Sequence, residues 1–261
     1  MPTHPFLDWP GPLAFAHRGG TSHHPENTLA AFRHAVELGY TYLETDVHAT
    51  ADGVLVAFHD PDLSRTCGRP GRIDELPWSD VSEARVDGRE PIPLFEALME
   101  EFPEARVNID CKADRALDPL IASLRRLDCL DRVCVGSFSD RRLRTLRSAL
   151  GDGLCSSFGP IQILSWRCLG GRVPWGGQAA QISTTYGPLR LVTERSVARS
   201  HRRGHQVHVW TIDDPDEMHR LFDLGVDGIM TDRPSVLRSV VSQRRGTSGA
   251  AGPEGGRDDE G

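Results

Sequence analysis

The chain has 261 residues, with 30 Lys and Arg against 37 Asp and Glu, a formal net charge of −7. That balance argues against a nucleic-acid partner, whose phosphates need a basic face, and no stretch approaches the ~20 apolar residues of a membrane span. With 38% hydrophobic residues the chain can build one large domain with a full core.

Met1 to Pro12 lacks a basic start followed by an apolar run, so a cytoplasmic protein without a secretory leader is expected. Leu13 to Ala16 then reads as a first strand. Asn27 or Thr28 caps a helix that carries Leu29, Phe32 and Val36 on one face and stops at Gly39. Tyr42 to Val47 is a second strand. Asp60 to Pro93 is polar and rich in Gly, Pro and Arg, which predicts an insertion with one short helix near Trp78 to Ala84. Further strands are expected at Arg106 to Asp110, Arg132 to Gly136, Leu154 to Ser157, Gln178 to Ser183, Gln206 to Trp210 and Asp227 to Met230. Gly159 to Gly177 has glycine pairs and a weak helical pattern. Near the end, Asp214-Pro215-Asp216-Glu217 combines an N-cap, a first-turn proline and a capping-box glutamate, and Gly225 closes that helix.

Eight strands, most followed by a helical pattern, predict an α/β fold: a (β/α)8 TIM barrel over residues 1–243 with a small insertion at 60–93. An open doubly wound sheet is the alternative, but no GxGxxG opens the first helix. Residues 244–261 are Gly-rich and charged and are expected to form a disordered tail. The six cysteines include no CxxC pair, so they are expected to be reduced and a zinc site is unsupported.

A barrel gathers its chemistry at the C-terminal ends of its strands. His17 and Arg18 follow the first strand, Glu44 and Asp46 end the second, and Asp110 and Lys112 end the third. His59 follows the apolar run Val54 to Phe58, and Trp210 ends the seventh strand. Glu44 and Asp46 are two apart and share a strand face. Two like carboxylates there repel, and a divalent ion relieves both repulsion and burial. Asp110 could add a third oxygen, and a set without thiolates suits Mg²⁺ or Ca²⁺. Two histidines can divide a phosphodiester cleavage, one activating the attacking oxygen and one protonating the leaving alkoxide. Arg18 and Lys112 offer positive charge to phosphoryl oxygens. His48 and His208 share inward strand phases and are candidates to line the pocket, as is Trp210 for an apolar part of a substrate. His4, His23, His34, His201, His205 and His219 read as structural or exposed, and Asp232 as a helix cap.

These segments together resemble the glycerophosphodiester phosphodiesterase family. The matching stretches are Ala16-His17-Arg18-Gly19, Pro25-Glu26-Asn27-Thr28, Glu44-Thr45-Asp46-Val47, His59-Asp60, Asn108-Ile109-Asp110-Cys111-Lys112, Ser137-Phe138, Val209-Trp210-Thr211 and Thr231-Asp232-Arg233-Pro234. The resemblance implies a TIM barrel with an insertion after the His-Asp motif. It implies a divalent ion on Glu44, Asp46 and position 110, with His17 and His59 as the acid/base pair and Arg18 and Lys112 on the phosphate. It also implies a small-molecule partner, a glycerophosphodiester, hydrolysed to glycerol 3-phosphate and an alcohol. The family usually has glutamate where this chain has Asp110, one methylene shorter. A lysophospholipase D is the neighbouring reading and would want an apolar mouth near Trp166, Trp175 or Trp210.

Overall fold

A computed structural model describes residues 4–168, 176–187 and 189–249. Eight parallel strands form its centre: β1 (Leu13–Ala16), β2 (Tyr42–Ala49), β3 (Arg106–Cys111), β4 (Val133–Gly136), β5 (Cys155–Ser156), β6 (Ala179–Ile182), β7 (Gln206–Val209) and β8 (Gly228–Thr231). Their order is β5-β4-β3-β2-β1-β8-β7-β6. A parallel bridge from Ser157 to Ala179 joins the two ends, with Phe158 N donating to Ala179 O at 2.9 Å. The expected eight-stranded barrel is therefore present, nearly closed, at the expected positions.

The helices α1 (Leu29–Glu37), α2 (Phe95–Glu101), α3 (Leu117–Leu127), α4 (Asp140–Leu150), α5 (Pro160–Cys168), α6 (Glu194–His201), α7 (Pro215–Asp223) and α8 (Pro234–Gly249) surround it. Thr28, not Asn27, caps α1, accepting from Ala31 N. Asp214 caps α7 as expected, but the Glu217 side chain turns to Arg220 instead of closing a capping box. α8 continues past residue 243, where a tail was expected to begin. Arg244 holds that extension against α7, pairing with Asp223 and lying over Phe222. The rest of the expected tail, 250–261, lies outside the described residues. All six cysteines are free, and among the described residues no helix is long and apolar enough to cross a membrane.

Strand phase decides what faces inward. On β2, Leu43 and Val47 pack outward under the helices, in a cluster with Phe32, Val107 and Leu120. Tyr42, Glu44, Asp46 and His48 occupy the opposite phase. Tyr42 meets Phe6, Phe15, Cys134, Cys155 and Met230 at the barrel floor, and its hydroxyl donates to Phe6 O at 2.7 Å. The short turn Pro5–Leu7 thus plugs the bottom, so the open end is the mouth.

Between floor and mouth lies a polar layer. Gln181 donates to Asn108 Oδ1 at 2.7 Å and lies 3.3 Å from His208 Nδ1, while His208 Nε2 meets Gln206 Oε1 at 2.9 Å. His208 is fully buried, so it is part of the barrel filling and does not line the pocket. Burial drives its pKa down to about 3.

The 60–93 insertion carries two short helices, Ser64–Cys67 and the expected one at Trp78–Val81, and a hairpin of Arg85–Val86 with Glu90–Pro91. It has its own small core of Leu63, Ile73, Val81, Val86 and Ile92, joined to Val56 and Phe58. The arm Leu55–Ala57 runs antiparallel to the end of β2 and delivers the chain into the insertion beside the mouth.

Burial of His208 makes stability depend on pH. The unfolded chain protonates this imidazole below about pH 6.5, whereas the folded protein resists down to about 3. Its contribution is complete above pH 6.5 and is lost as pH falls towards 3. His208→Gln should flatten the urea-unfolding free energy between pH 6 and 4 by up to ~1.4 kcal/mol per pH unit. Parallel wild-type and variant curves would refute the buried neutral imidazole.

Candidate active site

β1 ends in a tight turn, His17–Gly19, in which Arg18 and Gly19 both take positive φ, 52° and 83°. The turn bends the chain across the mouth and aims Arg18 N at Glu44 Oε2, 3.0 Å away. Gly19 is required by space as well as by φ. A Cβ there would stand 2.7 Å from Ala31 Cβ and 2.9 Å from Phe32 N.

The centre of the site is the carboxylate pair on β2. Glu44 and Asp46 are 4% and 1% exposed. Burial, then the charge of Asp46, pushes the Glu44 carboxyl up to about 7. Asp46 moves the other way: burial opposes its charge, but Lys112 and Arg18 hold it below the usual carboxylate range. Lys112 Nζ lies 2.8 Å from Asp46 Oδ1, and Arg18 Nε lies 3.1 Å from Asp46 Oδ2. Asn27, held at φ 55°, donates to Asp46 Oδ2 at 2.9 Å and accepts from Thr45 Oγ1 at 2.8 Å.

Asp110 on β3 pairs in register with Asp46. Its Oδ2 accepts from Lys112 Nζ at 2.7 Å, and its buried Oδ1 has no hydrogen-bond partner among the described residues. Lys112 and Arg18, expected to face a phosphate, thus both rest on carboxylates. Among the described residues no three His, Cys, Asp or Glu side chains are grouped tightly enough to hold an ion as they stand. Their chemistry still fits a hard cation: three buried oxygen donors, one proton-hungry carboxyl and one orphaned oxygen.

The two histidines are oriented from different sides. His17 Nδ1 lies 2.7 Å from Asp232 Oδ1, and its Nε2 is 3.9 Å from Glu44 Oε2. Burial opposes a charge on His17, but Glu44 and Asp232 outweigh it and raise the imidazole above its ordinary value. His59 Nδ1 lies 2.6 Å from Asp60 Oδ1, and His48 Nε2 meets the His59 backbone carbonyl at 3.0 Å. His48 therefore holds the His59 backbone, and burial lowers its own pKa. Trp210 sits at the rim, edge-on to Phe138 at 5.8 Å. Phe138 is 66% exposed and lies beside Lys112. Trp166 is buried and bonded to Ser200; Trp175 lies outside the described residues.

The model of the glycerophosphoryl diester phosphodiesterase family matches residues 17–158 and 175–236. The chain belongs to this family. As a glycerophosphodiester phosphodiesterase it is a phosphoric diester hydrolase. A probable glycerophosphodiester phosphodiesterase 2 of Mycobacterium tuberculosis is 42% identical, covering 95% of this chain and 98% of that protein. A solved putative glycerophosphoryl diester phosphodiesterase from Silicibacter pomeroyi superposes with a TM-score of 0.78 at 22% identity, over 92% of this chain and 97% of its own. An Oleispira antarctica phosphodiesterase, solved with its product sn-glycerol-3-phosphate, gives 0.74 at 22% identity, over 88% and 97%.

At the phosphodiesterase mouth, Asp232, Glu26 and Asp60 carried no assigned contact in the sequence, although all three stand in the matching motifs. Asp232, read as a helix cap, turns to His17. β1–β8 pairing, Ala16 with Thr231, brings them together. Glu26 binds Arg18 Nη1 at 3.0 Å, and Asp60 holds His59. An acidic residue at the end of β8 was the available signal for the first.

Gly19→Ala tests the turn. The strained φ and the backbone clash should together destabilise the protein by roughly 1–3 kcal/mol in urea unfolding. Unchanged stability would mean that the turn is not held against α1.

Proposed function

We propose that this phosphodiesterase hydrolyses glycerophosphodiesters to glycerol 3-phosphate and an alcohol by histidine acid/base catalysis in a metal-dependent site. The observation that carries the reading is the gathering of two carboxylate-oriented histidines and two cations around buried carboxylates at one barrel mouth.

Arg18 and Lys112 bind the phosphate, exchanging part of their contact with Asp46 and Asp110 for phosphoryl oxygens. One histidine accepts the proton of the attacking oxygen, either water or the adjacent hydroxyl of the substrate's glycerol. The second donates a proton to the departing alkoxide as its bond to phosphorus breaks. Asp232 and Asp60 fix the tautomer of each ring, so that Nε2 of each is free for proton transfer. A hydroxyl attack passes through a cyclic phosphate, which water then opens. Glu44, Asp46 and Asp110 would hold Mg²⁺ or Ca²⁺, which when bound supplies positive charge against that gathering on the phosphoryl oxygens.

His17→Ala and His59→Ala should each lower kcat by about two orders of magnitude or more, with folding unchanged by circular dichroism. Near-normal turnover in either purified variant removes that histidine from the mechanism. EDTA should abolish release of glycerol 3-phosphate, and Mg²⁺ or Ca²⁺ should restore it. Full activity after thorough chelation overturns the metal assignment.

A second reading, lysophospholipase D, is favoured by the exposed Phe138 ring against Trp210. It uses the same chemistry on a substrate with an acyl chain. Glycerophosphocholine and lysophosphatidylcholine assayed side by side separate the two by kcat/KM.

A further inference from the structure

Arg65 belongs to the insertion, on the short helix Ser64–Cys67. Its side chain is half exposed, yet all its guanidinium nitrogens are used. Nη1 and Nη2 grip Glu26 Oε2 and Oε1 at 3.0 and 2.6 Å, and Nε binds Asp60 Oδ2. Glu26 Oε1 also accepts from Arg18, and Asp60 Oδ1 holds His59 Nδ1. One continuous run of contacts therefore links Arg18, Glu26, Arg65, Asp60 and His59. Neither Glu26 nor Asp60 is among the carboxylates proposed to hold an ion.

Asp60 can orient the His59 ring only if its own carboxylate is fixed, and a carboxylate with one free oxygen can rotate about its side-chain bonds. Arg65 takes that second oxygen. Glu26, mostly buried and already pinned by Arg18, anchors the guanidinium at its other end. The planar fork of arginine meets both carboxylates at once, which a lysine ammonium cannot do.

We propose that Arg65 is a positioning residue for His59. It acts through Asp60 from an anchor on Glu26, and it makes the insertion a structural wall of the catalytic site. The proposal rests on the phosphodiesterase reading above. The insertion keeps its own apolar core without the guanidinium, with Leu63 and Ile73 fully buried. Loss of the Arg65 head therefore leaves the insertion docked and its effect confined to the catalytic loop.

The test is a double-mutant cycle on the full chain with glycerophosphocholine: wild type, Arg65→Met, His59→Ala and the double variant, with kcat, KM and thermal midpoint for each. Arg65→Met should lower kcat by about 10- to 100-fold with a smaller change in KM. In the His59→Ala background it should cost less than about twofold more, because the residue it positions is gone. Arg65→Lys should retain the fold and show an intermediate kcat, and it carries the test if Arg65→Met does not fold. Wild-type kcat in a folded Arg65 variant overturns the proposal. So does a loss that multiplies fully with His59→Ala, or one that appears only as a fallen thermal midpoint. If His59→Ala itself is near normal, the phosphodiesterase reading of His59 falls first.

Discussion

Glu44 and Asp46 point the same way from a strand that is buried along its whole length, and that constraint organises the rest of the mouth. Two carboxylates in one low-dielectric space repel each other, and each carries a desolvation cost. The chain answers with whatever donors it can bring: the ammonium of Lys112, the guanidinium of Arg18, the amide of Asn27 and the backbone N–H of Arg18. Most of these converge on Asp46. Glu44 is left with one backbone donor and a histidine, and its carboxyl is pushed up to about 7 by burial and by Asp46. The local conformation follows from the same demand. Positive φ at Arg18 and Asn27 is the backbone's way of turning a donor inward where a regular strand or helix would point it elsewhere.

A second tier of carboxylates surrounds the first. Asp232, Asp60 and Glu26 touch histidines and arginines, not the central pair. Closure of the barrel between β1 and β8 makes the His17–Asp232 contact. The hairpin at the end of β2 and the insertion make the His59–Asp60–Arg65 contact. The two rings are thus held by independent parts of the fold, which suits the proposed division of acid and base between them.

Much of this was legible in the sequence because it follows from local periodicity. Alternation on β2 put Glu44 and Asp46 on one face and Leu43 and Val47 on the other. Position at the ends of predicted strands brought in His17, His59, Asp110 and Lys112, and the family resemblance joined them to a barrel that the structure bears out. Contacts between distant positions were not legible. The place of Asp232 at the end of β8 is a signal for a site residue but does not name His17 as its partner, and a cap at the start of α8 explained it equally well. Arg65 sits in a polar segment without apolar period, so neither its helix nor its reach to Glu26 could be read. His208 shared the inward phase of the site residues but lies a layer lower. Phase alone does not give depth along a barrel axis. The Pro5–Leu7 plug is three residues long and has no periodicity to detect.

In the proposed metal site, Glu44 is the carboxylate whose burial an ion relieves. The most direct measurement is the thermal midpoint of wild type and Glu44→Gln, each in EDTA and in saturating Mg²⁺ or Ca²⁺. Wild type should gain stability from the ion, by ~2.7 kcal/mol when the ion stands at about 100 times its Kd, and Glu44→Gln should gain far less. An equal gain in both proteins, or none in wild type, would contradict the central role of the β2 carboxylates.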